Sequence, residues 1–280
     1  GLVIGAHLRQ DHPLLALRLR QAAKNRADIY VLSDEAEDLY MRAHQKAVNA
    51  SSWLSELLAI EAELNNPQSD NFAGQVARNL RNEHASNKAI IVGNAAMNHP
   101  QAAQILAVAN RIAQSCGAVV SVAVDGANSV GAYAVGAVAQ NGSLTAQQML
   151  AQPRAVYITL NVEPANDTAN SAQAVAALKS AFVIALNPYF SAVADTADVI
   201  LPTVPFTETG GTFVNAEGRA QTFNPVVKPL GEARPAWKVL RVLGERLDIQ
   251  SPAFSANDVN DIRAAVAPVL AELPARLAMG

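Results

Sequence analysis

Cysteine is nearly absent from this chain: Cys116 is the only one among 280 residues. A single thiol excludes an internal disulfide framework and fits a reducing compartment. It also excludes a complete iron–sulfur site, because such clusters need several thiolate or imidazole ligands at once. Cys116 lies at the end of the apolar helical segment RIAQSC. We therefore expect a buried, unreactive thiol there.

Charge is also scarce, since 16% of the residues are charged and 50% are hydrophobic. The formal net charge is −3, so the basic footprint of a nucleic-acid-binding protein is missing. No apolar run approaches the roughly 20 residues that cross a bilayer, and no signal-peptide pattern is present. We expect no nucleic-acid partner and no direct membrane insertion. The chain opens on Gly1 and enters an apolar strand at once, which predicts a piece of a larger protein.

The usual site motifs are missing as well. No Gly-x-Gly-x-x-Gly follows an apolar strand, and the spacing of Gly131 and Gly136 is followed by Ala137 rather than by the lysine of a phosphate-binding loop. The sequence has neither a His-Glu-x-x-His metal motif nor a glycine-flanked nucleophile. We expect no catalytic residue and no metal ligand in this chain.

What is present is a repeated plan of apolar strand, small-residue turn, helix and second strand. The plan starts at Leu2, at Lys88 and at Ala155. Its strands are continuous apolar runs, as in parallel sheets that are covered on both faces. The sequence therefore predicts an α/β protein with two Rossmann-like, doubly wound and mainly parallel αβα units, together with extra helices.

We place the first unit at residues 1–140, with a helical insertion at about 34–88. Within it, the segment 41–65 reads as one helix with an apolar stripe that includes Trp53 and Leu57. The second unit covers residues 141–280 and contains a polar loop at 196–223 and C-terminal helices.

Two features of those C-terminal helices can be predicted. Helix 236–247 should bury one apolar face, formed by Trp237, Leu240, Val242, Leu243 and Leu247. The region 257–279 carries Pro268 and Pro274, which predicts short broken pieces rather than one helix.

Two His-Pro pairs, His12-Pro13 and His99-Pro100, follow the predicted strands of the first two repeats. They could place two histidines near a crevice at the carboxyl ends of the strands. Proline is also favoured at the first position of a helix, with the preceding residue near the N-cap. We favour this structural interpretation.

The loop from Thr196 to Gln221 is the best candidate for a site, because it follows an apolar strand that ends at Pro202. It is polar and turns twice, so it suits either a binding loop or a hairpin that caps the sheet. Arg219 could form a salt bridge with Glu208 or Glu217 that holds the loop closed. The candidate residues are Glu208, Gly210, Gly211, Asn215, Glu217, Gly218 and Arg219.

A family resemblance rests on this loop. The stretches TADVILP at 196–202 and ETGGTFVNAEGRAQ at 208–221 resemble the molybdopterin-oxidoreductase superfamily. In those proteins the block sits in one of the α/β domains around the cofactor. The opening VIGAHLRQDHPLLA at 3–16 is similar to the large iron–sulfur subunit of bacterial respiratory complex I, the NADH:quinone oxidoreductase.

The resemblance implies a C-terminal, molybdoenzyme-like region with a scaffolding role in electron transfer from NADH to quinone. It implies no cofactor in this segment and iron–sulfur clusters upstream in the full-length parent. The implied partners are other peripheral-arm subunits, on the cytoplasmic side of the inner membrane. The candidate loop would then survive as architecture, and the segment alone would be inactive.

Two alternatives remain open from the sequence. The chain could be part of a true molybdenum or tungsten oxidoreductase, such as a formate dehydrogenase, which binds a pterin–guanine-dinucleotide cofactor with several domains. It could also be a free-standing α/β module that binds a small molecule or a partner.

Overall fold

The structure is a computed structural model that describes residues 1–66, 68–83, 87–140, 142–249 and 255–273. The chain divides into two compact units, Gly1–Gly126 and Ala127–Gly280. This division comes earlier than the junction that we placed at residue 140. Helix Ser129–Ala134 belongs to the second unit, because it packs against strand Gly211–Val214 of that unit.

The first unit contains a five-stranded sheet in the order β3-β2-β1-β4-β5, with every neighbouring pair parallel. The chain runs outward from β1 to β3, crosses back and continues through β4 to the other edge. A doubly wound sheet of this kind has its topological switch point between β1 and β4. The strands are β1 (Leu2–Ile4), β2 (Tyr30–Ser33), β3 (His44–Ala47), β4 (Ala89–Val92) and β5 (Val119–Val122).

Helices cover both faces of this sheet. One face packs Ile4, Leu32 and Ile90 against a large apolar cluster that includes Trp53 and Ile105. The opposite face packs Val3, Val31 and Ile91 against a smaller cluster. The helices are α1 (Leu8–Asp11), α2 (Pro13–Lys24), α3 (Trp53–Asn65), α4 (Phe72–Arg81), α5 (Asn94–Met97) and α6 (Ala102–Cys116).

The prediction of one helix over residues 41–65 is wrong in its first half. Residues His44–Ala47 form the edge strand β3, and the helix begins only at Trp53. The polar sequence HQKA alternates between half-buried and exposed positions, which suits an edge strand with one wet face. Stacking of the Tyr30 and His44 rings, with centroids 4.8 Å apart, holds β3 against β2.

The second unit contains a three-stranded parallel sheet in the order β6-β7-β8 and a separate antiparallel hairpin, β9-β10. Its strands are β6 (Val156–Leu160), β7 (Phe182–Asn187), β8 (Val199–Pro202), β9 (Gly211–Val214) and β10 (Ala220–Phe223). Its helices are α7 (Ser129–Ala134), α8 (Ala146–Ala151), α9 (Ser171–Lys179), α10 (Phe190–Val193), α11 (Ala236–Arg246) and α12 (Val259–Ala271). The predicted fold class, α/β with Rossmann-like parallel units, is confirmed.

Two predictions for the C-terminal helices are wrong. Helix α12 runs unbroken through Pro268, and a capping box at Asp258 satisfies the amides of its first turn; residues 274–280 lie outside the described part. The apolar face predicted for α11 is not buried, since Val242 is 43% exposed and Leu247 is 59% exposed. Only Gly244 of this helix is buried.

Candidate functional site

The predicted candidate loop is the β9-β10 hairpin and the segment that leads into it. Strand β9 pairs with β10 in the register Val214↔Ala220, and the Phe213 and Phe223 rings meet edge to face at 4.8 Å. The connecting turn is organised by Asn215, whose Oδ1 accepts hydrogen bonds from the amides of Glu217 at 3.1 Å and Arg219 at 2.9 Å. The turn is therefore closed by its own polar groups.

The remaining candidates in this loop also make structural contacts. Gly218 has a φ of +77°, which the turn requires and which side chains other than glycine adopt poorly. A carboxylate oxygen of Glu208 accepts a hydrogen bond from the Leu230 amide at 3.1 Å. Gly210 and Gly211 pass close to β10, since a Cβ at Gly211 would lie 2.6 Å from the Phe223 ring. These contacts brace the hairpin and the segments on either side of it.

The salt bridge that we predicted for Arg219 does not form. The Arg219 side chain is exposed and pairs with no carboxylate among the described residues. The cation that holds the hairpin is Arg263 of α12, whose Nη2 donates to the carbonyls of Phe223 at 2.8 Å and Gly211 at 3.3 Å. No local pattern marks Arg263, because it lies 40 positions after Phe223 in the chain.

A second candidate is the polar crevice at the switch point of the first unit, where β1 and β4 end. Asn94 Nδ2 donates to Asp11 at 2.9 Å and to Asp125 at 3.2 Å. Asn98 Nδ2 reaches the other oxygen of Asp125 at 3.4 Å. Crevices of this kind are where open α/β sheets bind ligands. The turn at Gly93-Asn94 is by itself poor in polar groups, and the carboxylates that enrich it come from distant segments.

Three buried polar atoms in or beside this crevice have no hydrogen-bond partner within the described part of the chain: His7 Nδ1, His12 Nε2 and Asn94 Oδ1. His7 lies 3.6 Å from both Asp34 and Glu35, too far for a hydrogen bond. With carboxylates on several sides, the crevice offers mainly acceptors. A phosphate group would meet like charge there, so the residues do not fit a nucleotide phosphate.

The two His-Pro pairs behave differently from each other. His12 is the N-cap of α2 and Pro13 is its first residue, as the structural interpretation predicts. Helix α6 begins only at Ala102, so Pro100 lies in the preceding turn instead. There His99 Nδ1 accepts a hydrogen bond from the Gln101 amide at 3.0 Å, and its ring lies 5.8 Å from that of Trp53.

The strand ends of the second unit form a third candidate. Thr203 Oγ1 donates to Asn161 Oδ1 at 3.2 Å, and buried Asn187 accepts from the Tyr189 amide at 2.8 Å. A cavity of about 660 Å³ nearby is lined by residues that include Glu163, Lys179 and Asp195. One cation among carboxylates suits an anionic dinucleotide poorly.

Cys116 is less buried than we predicted. The side chain is half-buried, and its Sγ donates to the Ile112 carbonyl at 3.1 Å. Burial raises the pKa of this thiol, so it stays protonated. Over the described ranges, no group of three or more His, Cys, Asp or Glu side chains could hold a metal ion.

The fold and these strand-end crevices define a protein built on the Rossmann-like plan. The molybdopterin oxidoreductase family model matches residues 2–246, and the chain belongs to this family. The fit of the family's cofactor can be tested on the strand-end residues. Carboxylates outnumber cations among them, which suits an anionic dinucleotide cofactor poorly.

The relatives come from two kinds of enzyme. The mitochondrial 78 kDa subunit of NADH-ubiquinone oxidoreductase from Candida albicans is 43% identical over 74 residues, which is 26% of this chain and 10% of the relative. The same subunit from Neurospora crassa is 34% identical over 92 residues, covering 33% of this chain and 12% of the relative. A Staphylococcus aureus protein named as a formate dehydrogenase is 32% identical over 90 residues, or 32% of this chain and 9% of that protein.

A solved structure shares the fold. It is the formyltransferase/hydrolase complex from Methylorubrum extorquens in complex with methylofuran, with a TM-score of 0.59 and 15% identity over 88% of this chain and 74% of that one. At this identity the likeness concerns the fold alone. The matched segments span about a tenth of the length of the curated relatives.

Proposed function

We propose that this chain is a C-terminal part of the large iron–sulfur subunit of a bacterial NADH:quinone oxidoreductase, and that it serves as a scaffold rather than as a catalyst. The observation that carries the proposal is the use of the candidate loop. Asn215 and Arg263 hydrogen-bond to the backbone of the hairpin, and Glu208, which precedes it, accepts from the Leu230 amide that follows it. A loop that is braced in this way is suited to positioning neighbouring structure.

The electron-carrying groups would then lie elsewhere in the parent protein. A single cysteine in 280 residues cannot complete an iron–sulfur site. We therefore assign the clusters to cysteines and histidines outside this segment, and we assign no cofactor to the segment itself. Its partners would be other peripheral-arm subunits, on the cytoplasmic side of the inner membrane. Within the described residues no helix is long and apolar enough to cross a membrane.

The first test is elemental analysis of the purified 280-residue chain together with its parent. The chain should be colourless and contain neither iron nor molybdenum in stoichiometric amount, whereas the parent should contain iron. Mutation of upstream cysteines in the parent should remove that iron, and Cys116→Ala should leave it unchanged. A chain that binds iron or molybdenum stoichiometrically would contradict the scaffold role.

A formate dehydrogenase-like oxidoreductase is the second candidate, because a protein of that name from Staphylococcus aureus is similar to this chain over 90 residues. The two candidates differ in the metal of the parent. A parent of the second kind would contain molybdenum or tungsten and reduce an acceptor with formate. A parent of the first kind would support NADH oxidation and would not respond to formate.

A further inference from the structure

One face of the three-stranded sheet in the second unit is apolar and open. Paired residues of parallel strands lie on the same face, and the pairs Val156↔Phe182, Ile158↔Ile184 and Ile184↔Val199 therefore form one surface. Val156 is 53% exposed, Ile158 51% and Phe182 48%. We call the exposed and half-exposed residues of this surface, Val156, Ile158, Leu160, Phe182, Ile184, Val199 and Leu201, the open face; Leu186 lies between Leu160 and Leu201 in the same register and is buried.

The composition of β6 argues against water as the native neighbour of the open face. Along VYITL, the open positions are Val156, Ile158 and Leu160, whereas the opposite positions are Tyr157 and Thr159. The opposite side is the covered one, where Tyr157 packs with Val183 and with Leu178 of α9. A sheet that faces water on one side usually places its polar residues there. Here the more apolar side is exposed, and all-parallel sheets are normally covered by helices on both faces.

The open face continues into a groove beside α11. Leu201 lines this cavity of about 540 Å³ with Val239, Val242 and Leu243, which belong to the face of α11 that remains half-exposed. Leu201 therefore connects the sheet to the apolar side of α11, next to the buried Leu186.

Cations edge the groove. Its lining includes Arg234, Lys238, Arg241 and Arg246. Two of these cations form long ion pairs: Arg234 lies 3.8 Å from Glu232, and Arg241 lies 3.8 Å from Glu245. Lys238 and Arg246 pair with no carboxylate among the residues that the structure describes. The groove thus joins an apolar floor to a positive rim.

We propose that the open face and its groove bind an amphipathic helix of the longer parent polypeptide, with an apolar stripe against Ile158 and Phe182 and acidic side chains against the cations of α11. A helix suits the place because it is the element that covers parallel sheets. An acidic flank suits the four cations of the rim. The matched relatives extend far beyond the matched segments, which span 10% and 12% of them.

A second copy of this chain is a poorer occupant. A second copy would present the same apolar face and the same positive rim, and it would bring no acidic helix to complement that rim. A membrane surface is also a poorer occupant, since the floor is the flat face of a sheet rather than a protruding helix. The proposal rests on the proposed function only in requiring a longer parent polypeptide.

The test is hydroxyl-radical footprinting, read by mass spectrometry, on the parent protein and on the 280-residue chain. Oxidation of Val156, Ile158 and Phe182 should be at least about fivefold lower in the parent, as expected when half-exposed side chains become buried. Buried Val183 on the opposite face is the matched control and should stay unoxidised in both. Equal oxidation of the open face in the two proteins would overturn the proposal.

A charge reversal separates the acidic helix from other occupants. In the parent, Lys238→Glu should raise oxidation of the open face, whereas Lys228→Glu, which lies outside the groove, should not. If the isolated chain forms a dimer that protects the open face, or if anionic phosphatidylglycerol vesicles protect it, the proposal fails in favour of that occupant. A parent that co-purifies with NADH:quinone oxidoreductase subunits but keeps an open face overturns this inference and leaves the proposed function standing.

Discussion

The substitution Gly93→Ala tests the close approach of β1 and β4 at the switch point of the first unit. Gly93 has φ −83° and ψ 172°, a conformation that alanine adopts without strain. A Cβ at this position would however lie 2.3 Å from the Gly5 carbonyl oxygen and 2.4 Å from the Ala6 Cβ. Because Gly93 N also donates to the Ile4 carbonyl at 2.7 Å, the clash is relieved only by moving one strand end from the other.

The expected cost follows from that geometry. The new Cβ lies about 1 Å inside ordinary contact with backbone atoms, so we expect the upper end of the overpacking range, about 3 kcal/mol. The control is Gly117→Ala, where φ is +68° and no atom lies within 4 Å of the added Cβ. That change brings backbone strain alone, about 1 kcal/mol.

Urea unfolding followed by tryptophan fluorescence measures the difference. The chain has two tryptophans, Trp53 in the first unit and Trp237 in the second, so a Trp237→Phe background reports on the first unit only. With a slope of about 2 kcal/mol per M, Gly93→Ala should lower the midpoint by about 1.5 M and Gly117→Ala by about 0.5 M. A Gly93→Ala protein as stable as the Gly117→Ala protein would refute the packing argument.

Three further predictions concern the core, the hairpin and the thiol. Leu57→Ala should cost about 2–5 kcal/mol in urea unfolding because Leu57 is fully buried, whereas Leu58→Ala, at a 44% exposed neighbour on the same helix, should cost less than about 1 kcal/mol. Asn215→Ala should lower the free energy of unfolding by about 1 kcal/mol, because it removes two hydrogen bonds of the turn, whereas Arg219→Ala should change it by less than about 0.5 kcal/mol. Equal losses for the two variants would indicate that Arg219 does form the salt bridge that the sequence suggested. Iodoacetamide should modify Cys116 more slowly in the folded than in the unfolded chain. Since burial raises the thiol pKa, stability should fall as pH rises above the ordinary thiol range of about 8.5, and it should fall more steeply in wild type than in Cys116→Ala, where only groups such as Tyr30 still contribute.

Secondary structure was predicted correctly where the local apolar pattern of a segment matches its burial in the fold. The apolar runs at Leu2, Ala89 and Phe182 are strands, because buried parallel strands need continuous apolar sequence. Strand β3 escaped prediction because its sequence HQKA is polar, and an edge strand can be wet on one side. The helix through Pro268 escaped it because proline inside a helix usually kinks or breaks it, whereas α12 continues past this residue.

The candidate site was less predictable than the fold. The turn residues of the hairpin could be read locally, since Asn215 and Gly218 act within their own turn. Arg263 could not, nor could the contact of Asn94 with Asp11, whose positions lie 83 apart in sequence. These groups are brought together only by the topology of the fold, and a single sequence does not show which distant residues will be in contact.

Helix α11, which lies beside the open face, also differs from what its sequence predicts. Sequence pattern predicts a buried face for α11, with Val242 and Leu243 among its members. In the folded chain Val242 remains 43% exposed. The apolar face of α11 would be buried, as its sequence predicts, if another segment covered it. The exposure of α11 therefore supports the same covering helix that we propose for the open face.

The most direct test of the scaffold assignment is affinity purification of the tagged parent protein from membranes of its native host. We expect recovery of a multi-subunit assembly that contains iron and flavin and oxidises NADH with quinone. In that assembly Asn215→Ala or Arg219→Ala should leave the turnover per assembly unchanged. Recovery of a molybdenum- or tungsten-containing enzyme that oxidises formate, with no NADH-oxidising subunits, would contradict the scaffold assignment.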